Sequence, residues 1–204
     1  LIEKLNLLGY VKLTQLQPTG LIVNTPSGEF YDPSRRVVVD SLQISPLGIE
    51  AITPDGEHVL DIHHIDHPDK KYDNDDLVCI GFSSHYAAMR ARFGEHMIDG
   101  IAGENIIIQA EKEIWPEDLG QRLGFESSET GDITFLDVVK FAAPCEEFSH
   151  FAAQSQHQRL PAAELKATLQ FLGNGRRGYL LVLSDGQEPA IVQPKDRVFV
   201  IDTD

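Results

Sequence analysis

Apolar residues alternate or run together in short blocks along the first eighty positions and again at the end of the chain, while helix-spaced stripes are confined to the middle. GYVKLTQLQ (9–17), RRVVVDSLQIS (35–45) and LVCIGF (77–82) are rich in Val, Ile and Leu and read as strands, separated by the turn-forming stretches QPTG, TPSGEFYDPS and SPLG. SSHYAAMRARFG (83–94) changes period: Tyr86, Met89 and Phe93 fall on one face of a helix, with Ser83 or Ser84 as N-cap and Gly94 as stop. ENIIIQA (104–110) is a strand, WPEDLGQRLG (115–124) a short helix with Pro116 near its start, and DITFLDVVKFAA (132–143) a long strand ended by Pro144. EEFSHFAAQ (146–154) and PAAELKATLQFL (161–172) read as helices, and RGYLLVLSDG (177–186) with AIVQPKDRVFVID (190–202) closes the chain in strands. Strands first, helices inserted and strands last predict a mainly β fold, a β-barrel decorated by helices rather than an alternating βαβ sheet. With 204 residues, no internal repeat and no linker, one domain spanning 1–204 is expected.

Charge narrows the partners. Asp and Glu number 32 against 17 Lys and Arg, a net charge of −15, which disfavours nucleic acid and anionic membrane and leaves small molecules or proteins. No apolar run is long enough for a membrane span, and LIEKLNLLGYVKL lacks the basic start and cleavage site of a signal peptide, so a cytoplasmic protein is expected. Its two cysteines suit a reducing compartment. Cys79, inside LVCIGF, reads as a small apolar core residue.

Four segments hold candidate chemistry. HVLDIHHIDHPDKKYDNDD gathers His58, His63, His64 and His67 with Asp61, Asp66 and Asp69, donors suited to zinc or iron. It is similar to the His-x-His-x-Asp-His pattern of metallo-β-lactamase-like hydrolases, with His64, Asp66 and His67 in register but Ile62 in the first ligand position; a hydrophilic loop with exposed histidines is the plainer account. FAAPCEEFSHF places Cys145 between Pro144 and two glutamates: the carboxylates oppose a thiolate, whereas a helix starting there or a bound metal favours one. Phe148 stands where a zinc deaminase has its second cysteine, so that signature fails, and a Cys145 pair with His150 or His63 depends on the fold. GNGRRGY (173–179) sets two arginines between glycines, either a helix stop with solvated arginines or a loop that holds a phosphate or carboxylate. In IAGENIIIQ, Gly103 allows a tight turn, Glu104 can hold an arginine, and Asn105 can bond a heterocycle edge or its own turn.

The order of these pieces is more specific than any one of them. AGEN (102–105) before a strand, Gly131-Asp132 opening another, Pro144-Cys145 ending it, and GRRGYLLVLSDG before a terminal strand together resemble the MOSC domain, the module named for the C-terminal part of molybdenum cofactor sulfurases. The likeness covers about the last half of the chain and extends more loosely through SPLGIE, HPD and SSHY, giving a motif-bearing core of about 36–202. It implies a closed β-barrel that binds molybdenum cofactor (molybdopterin) or carries sulfur, with Cys145 as molybdenum ligand or persulfide carrier. Gly103, Glu104 and Asn105 then match the family's GEN element, Arg176 and Arg177 fall where a basic residue helps to bind the pterin phosphate, and His67 joins the cofactor-binding set. The implied activity is that of a molybdenum-dependent oxidoreductase acting on N-hydroxylated compounds, or a sulfurtransferase-like protein. A separate reductase would supply electrons, or a cysteine desulfurase sulfur, since no nicotinamide or flavin fingerprint is present. Pyridoxal phosphate is associated with the family, but no lysine here can be assigned to it. Two departures stand out: HHIDHPDKKYDNDD lacks the paired glycines of the family's early segment, and AITPDGEHVL (51–60) is an insertion. The rival expectations are a ligand-binding barrel without the chemistry and, more distantly, a zinc hydrolase built on the His63 to His67 loop.

Overall fold

The computed structural model of the chain describes residues 4–70 and 77–202. Residues 71–76, the end of the HHIDHPDKKYDNDD segment, lie outside the described residues. The strands are β1 (Lys4–Leu16), β2 (Ile22–Thr25), β3 (Gly28–Tyr31), β4 (Val37–Val39), β5 (Leu42–Ser45), β6 (Gly48–Ile52), β7 (His58–Leu60), β8 (Val78–Phe82), β9 (Ile106–Gln109), β10 (Arg122–Glu126), β11 (Ile133–Phe141), β12 (Tyr179–Leu183), β13 (Ala190–Val192) and β14 (Arg197–Asp202). The helices are α1 (Ser83–Phe93), α2 (Pro116–Leu119), α3 (Glu146–Ala152) and α4 (Ala162–Leu172).

A barrel closes through the order β14-β10-β11-β12-β8-β9-β1, with β1 pairing back onto β14. The long first strand makes this closure. Its first half runs antiparallel to β14, with Leu5 opposite Ile201 and Leu7 opposite Phe199, and its second half runs antiparallel to β9 and then β4. Register shifts between Leu7 and Gly9 and between Val11 and Leu13 mark bulges, which bend a strand enough to serve two neighbours. At Gly9 a Cβ would lie 2.1 Å from the Gln109 carbonyl oxygen, so the approach of β1 to β9 requires glycine. Among the described strands one pair, β8 with β9, is parallel, joined across α1 in a βαβ step.

Val78, Ile80 and Phe82 of β8, Leu123 and Phe125 of β10 and Tyr179 and Leu181 of β12 point into one apolar core, each side chain contributing about 1.5–3 kcal/mol on burial. A second sheet, β13-β5-β6-β7, adds Leu42, Ile44, Ile49 and Val192 to that core. A second apolar cluster holds the helices: Tyr86, Met89, Phe148, Ala152 and Leu172 pack with Tyr31 of β3 and Ile107 of β9, and Phe93 is partly buried against them. The predicted Tyr86, Met89 and Phe93 stripe therefore faces packing.

The expectation of a helix-decorated, mainly β barrel holds, with corrections at the level of elements. RRVVVDSLQIS is two strands in two sheets, broken at Asp40 and Ser41. WPEDLGQRLG is helical only to Leu119: Gly120, at φ 63°, stops the helix, and the alternation of Leu123 and Phe125 makes the rest a barrel strand. Part of the turn-forming stretch TPSGEFYDPS belongs to the β2–β3 hairpin, and the insertion AITPDGEHVL forms much of the β6–β7 hairpin. Neither serine caps α1; Phe82 occupies the N-cap position, and Ser84 Oγ is buried with no hydrogen-bond partner. Among the described residues no helix is long and apolar enough to cross a membrane.

Candidate functional site

Strand alternation decides what faces the site. On β8, Val78, Ile80 and Phe82 turn into the core, so Cys79 and Gly81 turn to the opposite face of the barrel wall; on β12, Tyr179 and Leu181 turn in and Leu180 turns out. Outside this wall lies a cavity of about 560 Å3. Cys79 and Leu180 of the wall form its floor, and Lys140 to Ala143 at the end of β11 join Gln17, Leu21, Ile22 and Tyr31 in its lining. Cys145, Arg177, Gly103 and His63 complete the lining.

Cys145 is the N-cap of α3, its Sγ accepting the Phe148 N–H at 3.4 Å. Burial pushes the thiol pKa up; the Phe148 N–H and Arg177 oppose that, and Glu147 adds to it. The two electrostatic influences foreseen at this sulfur both exist, and desolvation decides the balance in favour of the neutral thiol.

Arg177 projects from the turn after α4, where Gly175 and Gly178 have φ of 91° and 109°. A Cβ on Gly178 would meet the Ile80 carbonyl oxygen at 2.4 Å, so the turn lies directly on β8. The guanidinium sits 4.9 Å from the Phe148 ring, and its Nε is buried with no hydrogen-bond partner. Burial opposes its charge, but Tyr31, Glu104, Cys79 and Cys145 outweigh that and hold it firmly protonated. The arginine makes no ion pair with any described residue.

Behind the lining lies a buried polar layer. Glu104 is fully buried, its Oε2 accepting from the Tyr86 hydroxyl at 2.6 Å and its Oε1 left without a partner; burial pushes its carboxyl pKa up, with Arg177 and Tyr86 opposing. Asn105 Oδ1 accepts the Cys79 N–H at 3.0 Å, and its Nδ2 donates to Asp61 Oδ2 at 2.8 Å. The other oxygen of Asp61 lies 2.6 Å from Nδ1 of His63. The GEN element thus clamps the strand that carries Cys79 and, through Asp61, orients the cavity imidazole. Gly103, at φ 98°, receives Gln17 Nε2 on its carbonyl at 2.6 Å.

The predicted residues separate accordingly. Cys145, Arg177 and Gly103 line the cavity, and Glu104 and Asn105 support it from behind. Arg176 points elsewhere: its Nη2 is 3.0 Å from Glu113 and its guanidinium packs 4.8 Å from the Trp115 ring and 4.1 Å from the Phe171 ring. His67 does not line the cavity; its Nε2 is 3.1 Å from the Pro18 carbonyl oxygen and its Nδ1 accepts the Asp69 N–H. His58 pairs with Glu50, and His64 accepts the Asp66 N–H, so His63 alone of that cluster reaches the lining. No three His, Cys, Asp or Glu side chains among the described residues are grouped to hold a metal ion, so the His63 to His67 loop presents no zinc donor set. His150 lines a separate small hollow with Glu146 and Glu147, leaving His63 as the imidazole that shares a cavity with Cys145. Cys79 is buried as expected, yet it belongs to neither apolar cluster and forms part of the cavity floor. The alternation within VCIGF carried that signal: a residue between two inward neighbours faces out.

No family model and no curated protein matches the chain by sequence. Solved structures do match it by shape. YuaD from Bacillus subtilis superposes with a TM-score of 0.63 at 14% identity over 100% of both chains. A hypothetical protein superposes with a TM-score of 0.54 at 13% identity, over 96% of this chain and 70% of its own. YiiM from Geobacillus stearothermophilus gives 0.49 at 13% identity, over 98% and 76%. Identities this low carry the fold alone, and the fold is MOSC-like: a closed barrel decorated by helices.

Proposed function

We propose that the cavity binds an anionic, sulfur-bearing ligand, with molybdenum cofactor as the candidate that the MOSC resemblance names, and that Cys145 is its thiolate ligand or a carrier of sulfur. One observation supports this above the rest: a guanidinium with no ion-pair partner among the described residues, Arg177, lines the same cavity as the half-buried thiol. An arginine kept charged in a desolvated site without an acceptor is costly unless a ligand supplies the acceptor, and a phosphate or carboxylate matches its fork. A thiolate is a soft donor suited to molybdenum or to a persulfide. The residues therefore fit the cofactor in donor type, with Cys145 for the metal and Arg177 for the phosphate. Such a cofactor would supply two-electron redox chemistry, fed by a separate reductase. Arg177 orients the anion, Leu21 and Leu180 exclude water, and the positive charge of Arg177 helps Cys145 release its proton as the ligand binds.

The second reading is a barrel that binds an anion without chemistry, favoured by the raised thiol pKa and the apolar wall. Metal analysis of protein purified from a host that makes the cofactor distinguishes the two. Bound molybdenum is expected to disappear in Cys145→Ser, fall in Arg177→Met and persist in Arg176→Met. For the sulfur-carrying form, incubation with a cysteine desulfurase and cysteine should leave a trappable persulfide on Cys145. Protein with neither molybdenum nor persulfide would leave only the binding barrel.

A further inference from the structure

Both cysteines of the chain line one cavity, although they lie 66 positions apart and on different elements. Cys79 is on β8, opposite Leu180 of β12, which is opposite Lys140 of β11; two residues past Lys140, the Ala142 N–H bonds the Gly178 carbonyl, and Cys145 follows three residues on. The wall thus carries the chain from one thiol to the other across two strands. Cys79 is held in place, since its N–H is bound by Asn105 Oδ1 and its carbonyl accepts the Asn105 N–H at 2.7 Å. It is excluded from the apolar clusters that its neighbours Val78 and Ile80 join, and the charge of Arg177 is coupled to both sulfurs.

We propose that Cys79 is the second thiol of this site and that it discharges a persulfide held on Cys145. The inference rests on the sulfur-carrying form of the function proposed above. The Cys79 sulfur attacks Cys145 Sγ, a Cys79–Cys145 disulfide forms, and the bond from Cys145 Sγ to the outer sulfur breaks. The outer sulfur leaves with the bonding electron pair as hydrosulfide and takes up the proton that Cys79 gave up. Two cysteine sulfurs are oxidised to the disulfide while one sulfane sulfur is reduced to sulfide; a dithiol reductant restores both thiols. Arg177, whose charge acts on both sulfurs, favours the attacking thiolate.

The test loads the fully reduced chain with inorganic polysulfide, removes the excess, and follows intact mass and released sulfide. In the wild type the adduct of one added sulfur on Cys145 should convert to a species two hydrogens lighter than the reduced protein, with one sulfide released and a Cys79–Cys145 disulfide peptide on digestion. In Cys79→Ser, and in Cys79→Ala as a check on folding, the adduct should persist roughly tenfold longer or more. Equal lifetimes in all three proteins, or a wild-type adduct that decays without the disulfide peptide, would overturn the role of Cys79 and leave sulfur carrying intact. Failure of Cys145 to take up sulfur in any of them would overturn the reading on which the inference rests. The wild-type disulfide needs no variant, so misfolding of a substituted chain does not spare the proposal.

Discussion

At Cys145 the decisive quantity is the proton. Desolvation raises the thiol pKa, Glu147 raises it further, and the Phe148 N–H and Arg177 pull it down. Below the pKa, alkylation rate follows the thiolate fraction, about tenfold per pH unit. Glu147→Gln should therefore speed iodoacetamide labelling of Cys145 at neutral pH and Arg177→Gln should slow it, each by several-fold on the scale of charge effects at such sites; peptide mass spectrometry against pH reads both. Opposite signs are required, and equal rates in the two variants would mean that burial alone sets the proton. The two adjacent arginines differ in the same physical terms. Arg176 is consumed by Glu113, Trp115 and Phe171, so its replacement by Met should cost stability of about 1–3 kcal/mol through lost packing and ion pairing while ligand binding persists. The sequence GRRG marks both residues, but their opposite directions follow from the turn.

Among the elements, α1 carries a buried titratable group that the cavity does not use. His85 accepts the Ile114 N–H on Nε2 at 3.0 Å and packs against Phe82 and Trp115; burial lowers its pKa from 6.5 to about 4, with Arg176 helping and Glu113 opposing. The unfolded chain then binds the extra proton first. The stability that the neutral ring contributes is complete above pH 6.5 and is lost as pH falls from 6.5 toward 4. The loss should approach about 3 kcal/mol by pH 4, and His85→Gln should flatten the urea-unfolding profile over that window. The turn after α4 is constrained more severely. Gly178→Ala places a Cβ 2.4 Å from the Ile80 carbonyl at a φ of 109°, so it should lose at least about 2 kcal/mol in the same measurement and displace Arg177 with it. Elements with clear stop signals were legible from the residues, as with α1, stopped at Gly94, and β11, which ends before Pro144. Those joined without strong punctuation were misjoined: Arg122 to Gly124 follows a true helix start, and only the pairing of β10 with β11 and β14 makes it a strand.

For the whole molecule, closure of the barrel through β1 predicts a stability pattern. Amides in β1, β9 and β14, bonded on both sides or across the closure, should exchange with solvent only on global unfolding, whereas the β2–β3 hairpin, a two-stranded sheet with exposed Ile22, should exchange sooner; native-state hydrogen exchange read by NMR checks this. The residues alone were enough for the class of fold and for the strands and helices bounded by clear turn and stop signals, because local sterics and side-chain period are written in consecutive positions; Cys145, Gly103 and Arg177 were brought together only by the order of motifs that resembles the MOSC domain, and the fold sets all three on one cavity. Which way each candidate faces was decided only by tertiary structure. Cys79 became cavity floor because its strand is buried on both faces, one against the core and one against a pocket, and an apolar run looks the same for either. The histidine cluster dispersed because consecutive loop residues turned to different partners: His63 to Asp61, His64 to Asp66 and His67 to Pro18. Meeting across the barrel wall is a property of register and closure, and the two thiols acquired their common cavity only when strands distant in sequence were hydrogen-bonded side by side.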